Sequence, residues 1–257
     1  MDSPLDHEEG LPGKNGADVK IGIYAGYIAP PTTGGGFTHV DEILRAIMRV
    51  KPNGHSISVM YSGKVNEEAK VPGLEYINVK HRKAMDWLAL LTSRVSMLRI
   101  FRRLSISSSL ESTCIKNHID VLWAIQPFYE QLDLIPYIFT LWDLEHRKYP
   151  FLPEMRKSEW LRREHHYTYM LPRAASVITG NECGAAEISS YYGVNKNRVS
   201  IIPFFAPASL QTEEPSKPAR IPENLKFIYY PAQFWAHKNH ITAIDALSLL
   251  RKNGIDI

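Results

Sequence analysis

The amino-acid sequence predicts an α/β protein with a doubly wound, mostly parallel sheet. Along most of the 257 residues, short apolar segments rich in β-branched side chains alternate with segments of helical periodicity. Two apolar segments, 120–125 (DVLWAI) and 136–142 (PYIFTLW), are almost uninterrupted. Continuous apolar runs of this length are typical of parallel strands that are covered by helices on both faces. Strands and helices that alternate in this way pack as an open, layered sheet.

The predicted elements follow this alternation from residue 19 onward. The segment VKIGIY starts the sheet, and a glycine-rich loop leads from it into a helix whose apolar residues recur every three or four positions. The strands are predicted at 19–24, 56–61, 74–79, 120–125, 136–142, 174–180 and 198–204. The helices are predicted at 40–48, 85–104, 110–117, 157–171 and 182–192.

Composition changes at both ends of this region. Residues 1–18 have no periodicity, which predicts a disordered extension before a first domain at 19–208. Residues 209–225 hold three prolines among alternating charges and predict an interdomain linker. The remaining residues, 226–257, supply one strand at 226–231 and one helix at about 239–251. We expect them to start a second, incomplete domain, because one such unit cannot bury its own faces.

Overall composition excludes several classes of protein. Hydrophobic residues at 44% and charged residues at 22% are ordinary for a soluble protein, and a net charge of +3 is too small to indicate a nucleic-acid partner. No apolar run approaches the ~20 residues of a membrane span, and no secretory signal is visible, so we expect a cytoplasmic protein. Cys114 and Cys183 have neither disulfide-framework nor zinc spacing and are expected to be buried thiols.

Three segments carry residues suited to ligand chemistry. Gly34, Gly35 and Gly36 follow the first strand, where glycines and a helix N-terminus let backbone N–H groups approach an anion; a tight turn without a ligand is the alternative. The spacing is neither GxGxxG nor a Walker loop, which disfavours an NAD-dependent oxidoreductase, and no GxSxG elbow indicates a serine hydrolase.

The second segment, WDLEH, follows the most apolar strand. Asp143, Glu145 and His146 at the end of a strand are placed like a catalytic cluster, because a histidine beside carboxylates can move protons. The alternative is that Asp143 caps a turn and His146 is solvated.

The third segment is PAQFWAHKNH, at 231–240. Lys238 near a helix start, capped by Asn239 or a neighbour, would place an ammonium beside free amides, which suits a diphosphate; a solvated lysine is the alternative. His237 and His240 have no evident third ligand, which disfavours a metal site.

Together with VITGNECGAAEISSYYGV and RVSIIPF, these segments resemble the retaining, family 4-like glycosyltransferases of the GT-B fold that build bacterial surface polysaccharides. The resemblance runs from about Val19 to the last residue. It implies an acceptor-side Rossmann-like domain followed by the opening of a donor domain, so that the 257-residue chain alone would be inactive. It also implies transfer of a hexose or deoxyhexose from a nucleotide diphosphate sugar to a hydroxyl acceptor, without a bound metal or other cofactor.

The resemblance assigns roles residue by residue. Where the family commonly has a histidine and an arginine, this sequence has Trp142 and Gln233. These departures favour the alternative of a non-catalytic sugar- or partner-binding relative. The candidate catalytic residues are Asp143 and His146, and the candidate donor or substrate residues are Gly34, Gly35, Gly36, Glu182, Gln233, His237, Lys238 and Asn239.

A basic helix provides a candidate membrane contact. Between Arg82 and Leu104 the sequence has six basic residues and one acidic residue, Asp86, with apolar side chains available for a second face. We expect this helix to lie on an anionic membrane surface, beside a lipid-linked acceptor at the inner face of the membrane. The alternative is an ordinary amphipathic helix whose apolar stripe packs on the core.

Overall fold

The computed structural model describes residues 18–28, 35–50, 54–65, 67–94, 107–204, 222 and 226–255. Within them lies one seven-stranded sheet in the order β3-β2-β1-β4-β5-β6-β7, in which each neighbouring pair is parallel. This confirms the predicted Rossmann-like α/β fold. The strands are β1 Val19–Gly26, β2 His55–Ser62, β3 Glu75–Val79, β4 Val121–Ala124, β5 Tyr137–Thr140, β6 Ser176–Thr179 and β7 Val199–Ile201.

Helices connect and flank these strands. Those in the described residues are α1 Gly35–Val50, α2 Lys83–Arg94, α3 Ser109–Lys116, α4 Glu145–Lys148, α5 Lys157–Met170, α6 Glu182–Tyr192 and α7 His240–Lys252. Single 3₁₀ turns lie at Glu67–Ala69, Leu171–Arg173, Lys196–Arg198 and Ala236–Lys238. The predicted helix at 85–104 is confirmed as far as Arg94, and its continuation lies outside the described residues.

The core lies on both faces of the central strands. Ile23, Ala25 and Val59 are buried together with Leu44 of α1. At Gly22 a Cβ atom would lie 2.9 Å from a methyl carbon of Ile119, so this strand position has no room for a side chain. Residues 22–26 of β1 are buried without a break, as their apolar composition predicts, whereas β4 and β6 alternate between half-buried and buried positions.

Contacts divide the chain into two compact units. The first takes in the described residues within Met1–Trp142 and Tyr169–Phe205 and contains the sheet. The second takes in Asp143–Thr168 and the described residues within Ala206–Ile257. The predicted domain 19–208 therefore differs from the first unit, because Asp143–Thr168 groups with the residues near the carboxyl terminus.

Two expectations are wrong. Residues 226–231 form no strand, because a parallel strand exists only when a neighbour pairs its backbone groups, and none of the described strands pairs with this segment. Cys183 is exposed rather than buried, whereas Cys114 is buried as expected. Residues 1–17 and, apart from Pro222, the predicted linker 209–225 lie outside the described residues.

Candidate functional site

A cleft lies where the direction of chain winding reverses. From β1 the chain winds outward to β3, then crosses back to β4 and winds outward to β7 on the other side. Ligands of open α/β sheets bind beyond the carboxyl ends of the strands at this reversal. Here the cleft has a volume of about 750 Å³ and belongs entirely to the first unit. We call it the switch-point cleft.

Aromatic side chains form much of the wall of the switch-point cleft. They come from β1 and the residue after it, the start of α1, α2, the loop between β4 and β5, and the residues just after β5. The rings are those of Tyr24, Tyr27, Phe37, Trp87, Phe128, Tyr129 and Trp142. The indole Nε1 of Trp142 is buried and has no hydrogen-bond partner within the described residues. Such a wall offers flat apolar faces and few polar groups, as small-molecule sites usually do.

The first turn of α1 reaches the cleft. Gly36 lines it, and a Cβ atom at this position would lie 3.4 Å from Cη2 of Trp142. Gly35 starts α1, and a Cβ there would meet nothing within 4 Å, so space alone does not require glycine at that residue. Gly34 lies outside the described residues. The N-terminus of α1 therefore adds its partial positive charge close to the cleft.

Five polar side chains form one hydrogen-bonded chain in the cleft, which we call the cleft network: Tyr24, Ser62, His81, Asp86 and Glu130. The His81 Nδ1 atom lies 3.1 Å from Asp86 Oδ2, and His81 Nε2 lies 2.8 Å from Ser62 Oγ. The Ser62 Oγ atom lies 2.9 Å from the Tyr24 hydroxyl, which donates to Glu130 Oε1 at 2.5 Å. Glu130 Oε1 also lies 3.5 Å from His81 Nε2.

The surroundings fix the direction of these hydrogen bonds. Asp86 accepts the backbone N–H of Ser109 through Oδ1 at 2.7 Å, so its second oxygen faces His81 as an acceptor. The Nδ1 atom of His81 therefore donates to Asp86, and because the Tyr24 hydroxyl gives its one proton to Glu130, the Ser62 hydroxyl donates to Tyr24. Burial, reinforced by Glu130, raises the pKa of Tyr24, which keeps its hydroxyl protonated as a donor.

A buried carboxylate holds the loop that carries Glu130. Glu111 on α3 is only 1% exposed and accepts the backbone N–H groups of Asp133 and Leu134 at 2.5 and 2.6 Å. Ser108, which caps α3, donates through its hydroxyl to the carbonyl of Gln131 at 2.7 Å. These bonds fix the loop between β4 and β5, which forms one side of the switch-point cleft.

Sequence reasoning missed the cleft network. Ser62 is the last residue of β2 and His81 comes two residues after β3, so both stand at the carboxyl edge of the sheet. Asp143 was predicted as a site residue because it follows the end of a strand, and the same argument applies to Ser62 and His81. Asp86 and Glu130 had no such signal, since only the folded chain brings α2 and the β4–β5 loop to the same edge.

The candidate catalytic residues of the sequence lie in the second unit. Asp143 accepts the backbone N–H of Glu145 at 3.1 Å and lies 3.5 Å from Nη1 of Arg163, as a turn cap does. His146 is fully buried rather than solvated, with Nε2 at 2.7 Å from Glu164 Oε1. Burial lowers the pKa of His146 more than Glu164 raises it. The two side chains are thus held by different partners.

Glu182 lies apart from the switch-point cleft. It begins α6, whose N-cap Asn181 accepts the backbone N–H of Gly184 at 2.8 Å. It lines a smaller cavity of about 190 Å³, together with Lys196 and Ser189. The first unit therefore brings Gly36 to the cleft but not Glu182.

The segment before α7 carries the remaining candidates, in the second unit. Gln233 accepts the indole N–H of Trp235 at 2.6 Å. Lys238 is exposed at the end of a 3₁₀ turn. Asn239 has the left-handed φ of 53° and occupies the N-cap position of α7 without a side-chain cap bond; it instead accepts the Thr242 hydroxyl at 2.9 Å.

His237 is tied to another part of the second unit. Its backbone N–H donates to Glu154 Oε1 at 3.1 Å, and its Nδ1 also bonds that oxygen. The bond from the imidazole lowers the pKa of Glu154. This contact fixes the 3₁₀ turn that precedes α7.

The described residues hold no group of three or more histidine, cysteine or acidic side chains arranged to bind a metal ion. Among the same residues, no helix has both the length and the apolar character needed to cross a membrane.

Comparison with known proteins gives distant structural likeness only. No family model and no curated protein matches the chain. A crystal structure of a glycosyltransferase from Rickettsia africae ESF-5 is 9% identical with a TM-score of 0.39, covering 72% of this chain and 43% of that one. A variant of the wall teichoic acid polymerase TagF is 14% identical with a TM-score of 0.39, covering 73% and 38%. The chain thus spans about two fifths of each structure, a likeness too slight to argue an activity.

Proposed function

We propose that this chain is the acceptor-side part of a glycosyltransferase, which moves a hexose or deoxyhexose from a nucleotide diphosphate sugar to a hydroxyl acceptor. The observation that carries the proposal is the switch-point cleft, in which aromatic walls enclose the hydrogen-bonded cleft network. The sequence resemblance to GT-B enzymes supports it independently. Retention of configuration, a metal-free mechanism and a role in polysaccharide biosynthesis enter the proposal from that resemblance alone.

The chemistry of the cleft suits a sugar acceptor. Aromatic faces carry partial negative charge, so they pack well against the C–H groups on the flat side of a pyranose ring. Trp87 is 60% exposed and offers such a face beside the network. The carboxylates of Asp86 and Glu130 accept hydrogen bonds from sugar hydroxyls. The apolar face of a bound acceptor would thus pack on an aromatic ring, and its hydroxyls would donate hydrogen bonds to the carboxylates.

The donor needs positive groups for its diphosphate. In the proposal Lys238 and the amides at the start of α7 contact the phosphates, because an ammonium and a helix N-terminus both favour negative charge. Catalysis then depends on holding donor and acceptor together and on stabilising the leaving nucleotide.

The test is acceptor binding by the chain as it stands, with transfer measured beside it. UDP-, GDP- and dTDP-sugars are offered with aryl glycosides as acceptors, and nucleotide release is measured together with the anomeric configuration of the product. Titration of the acceptors with tryptophan fluorescence reports binding in the cleft, and Trp87→Ala should raise the acceptor dissociation constant. Acceptor binding without transfer is the result expected of this chain alone, and absence of acceptor binding would overturn the proposal.

We further propose that the segment between Arg82 and Leu104 contacts an anionic membrane. Each basic residue near such a surface contributes about 1 kcal/mol of attraction. Arg99, Arg102 and Arg103, which lie outside the described residues, are the residues to change. Liposome flotation should recover more protein with anionic than with neutral vesicles, and changing the three arginines to Gln should abolish the difference. Equal recovery with both vesicle types would contradict this contact.

A further inference from the structure

We propose that the switch-point cleft binds an acceptor that carries a positively charged amine, namely a sugar with an unacetylated amino group. The inference rests on the proposed function and deepens it by naming the class of acceptor. It follows from the charge of the cleft, from the aromatic rings around that charge and from the exposure of its two carboxylates.

Negative charge dominates the lining of the switch-point cleft. Apart from tyrosines, its titratable lining residues are Asp86, Glu130 and His81, and no lysine or arginine of the described residues is among them. The whole chain, by contrast, has 30 lysines and arginines against 27 acidic residues. Even an imidazolium at His81 would leave one carboxylate charge uncompensated. The cleft therefore attracts a cationic group and repels an anionic one.

The two carboxylates are held in place without a strongly basic partner. Asp86 Oδ1 accepts the backbone N–H of Ser109 at 2.7 Å, and its Oδ2 lies 3.1 Å from His81 Nδ1. Glu130 Oε1 accepts the Tyr24 hydroxyl at 2.5 Å and lies 3.5 Å from His81 Nε2. In the part of the chain that the structure describes, neither carboxylate forms an ion pair with a lysine or an arginine. Both are thus positioned to receive a cation from a ligand.

The Tyr24 hydroxyl lies in the negative field of these carboxylates. Burial raises the pKa of Tyr24 most, and the charges of Glu130 and Asp86 raise it further. They do so because a second negative charge, on the phenolate, is unfavourable beside them. The same field favours a positive charge at this place.

Aromatic rings line the same cleft as the carboxylates. Trp87, the residue after Asp86 on α2, is 60% exposed. Phe128 packs edge-on against Tyr24, with 5.8 Å between the ring centroids, and the Tyr24 hydroxyl bonds Glu130. The face of an aromatic ring attracts a cation, most strongly in tryptophan, and more so where water is partly excluded. The wall therefore suits an ammonium group as well as the C–H groups of a pyranose.

A ligand can reach both carboxylates from the cleft. The side chains of Asp86 and Glu130 are 25% and 17% exposed, so each presents some surface while most of it is shielded. Charges in such a position are screened less by salt than charges on an open surface. An ammonium group brings three N–H donors and a positive charge, whereas a hydroxyl brings one donor and no charge. We therefore expect the cleft to prefer an amino sugar to the same sugar with a hydroxyl at that carbon.

The experiment measures binding alone, by calorimetric titration of the 257-residue chain. The ligands are phenyl glucoside, its 2-amino and 6-amino analogues and their N-acetyl derivatives, at a mildly acidic pH that keeps the free amines protonated. We expect at least one amine to bind about tenfold tighter than the glucoside, as a cation beside an aromatic face and a partly buried carboxylate should. Its N-acetyl derivative should lose this gain, because acetylation removes the charge. Added salt should weaken binding of the amine and leave binding of the glucoside unchanged.

Two variants locate the preference in the cleft. Glu130→Gln and Asp86→Asn keep the shape of the side chain but remove a negative charge, so each should reduce the preference for the amine by about threefold. The control is Glu67→Gln, on a carboxylate that is 79% exposed, pairs with Lys70 and does not line the cleft. It should keep the wild-type preference. Circular dichroism shows whether each variant is folded, and if one is not, the other variant and the salt dependence still test the inference.

Equal affinities for the glucoside and for both amines would overturn the inference and leave the proposed function standing. So would N-acetyl derivatives that bind as tightly as the amines, or a preference for the amine that persists undiminished in the folded carboxylate variants. Absence of binding by every glycoside would overturn both the inference and the proposed function.

Discussion

The Nε2 atom of His146 lies 2.7 Å from Oε1 of Glu164, and the imidazole is fully buried. The same carboxylate oxygen accepts Nε of Arg147 at 2.8 Å. One turn of α4 and the middle of α5 are therefore joined through Glu164 within the second unit. A histidine in this position contributes to stability through a charge-assisted hydrogen bond, since removing it leaves a partly buried carboxylate with one partner fewer.

We predict that His146→Ala lowers the free energy of unfolding by about 1–3 kcal/mol, the usual cost of breaking a buried hydrogen bond to a charged group. Asp143→Asn is the matched change, because the amide oxygen can still accept the N–H of Glu145, and its effect should be below about 0.5 kcal/mol. Urea unfolding of the three proteins measures both. A folded His146→Ala as stable as the wild type but ~100-fold slower in sugar transfer would instead support the catalytic role expected from the sequence.

The fold was predictable because strand burial leaves a direct mark on composition. The predicted strands at 120–125 and 136–142 contain β4 and β5, whose residues are all buried or half-buried, so their apolar runs identify them without any knowledge of their partners. The segment 226–231 has a similar composition but forms no strand, because composition does not report whether a neighbour is available for pairing.

The site was predictable only in part, for a related reason. The position of Gly36 follows from strand order along the chain, and in the structure this residue lines the cleft. The pairing of His81 with Asp86 and Glu130 depends on where α2 and a loop meet in space. His146 is also misjudged from the sequence. Its helix, α4, has the polar sequence EHRK, yet tertiary contacts bury the histidine completely.

Glu111 should determine the order of the cleft loop. We predict that Glu111→Ala lowers the free energy of unfolding by about 1–3 kcal/mol, because two backbone N–H groups lose their buried acceptor. The amides of Asp133 and Leu134 should then exchange with solvent faster, as measured by hydrogen exchange. The control is Glu67→Ala, on a carboxylate that is 79% exposed and paired with Lys70, where we expect less than about 1 kcal/mol. Equal effects of the two changes would contradict the role of Glu111.

Gly26 occupies a position that combines backbone and steric demands. Its φ is 57°, and a Cβ there would lie 2.7 Å from Nε2 of Gln126. Gly193 has a similar φ of 65° but open space around the Cβ position. Gly193→Ala should therefore cost about 1–2 kcal/mol for backbone strain alone. Gly26→Ala should cost more and displace Gln126 from the carbonyl of Ala25, which it bonds.

Thermal or urea unfolding of the two glycine variants gives the comparison. The difference between them isolates the steric clash, because the backbone term is common to both. Because Gly26 and Gln126 line the switch-point cleft, Gly26→Ala should also weaken aryl glycoside binding, whereas Gly193→Ala should leave it unchanged. The prediction fails if the two substitutions have the same effect on stability.

Burial of His166 should make the folded chain less stable in acid. His166 is 2% exposed, and burial, aided by the positive charges of His165 and Arg162, lowers its pKa from 6.5 to about 3. Between these values the unfolded chain binds a proton that the folded chain does not, so stability falls as the pH drops below about 6.5. At pH 5 the loss of stability from this group is about 2 kcal/mol.

In His166→Gln this loss should disappear, so the difference in unfolding free energy between pH 7 and pH 5 should shrink by that amount. His55→Gln should keep the wild-type difference. Urea unfolding at the two pH values decides the matter, since a His166→Gln protein with the wild-type pH dependence would mean that the folded chain protonates this imidazole as readily as the unfolded one.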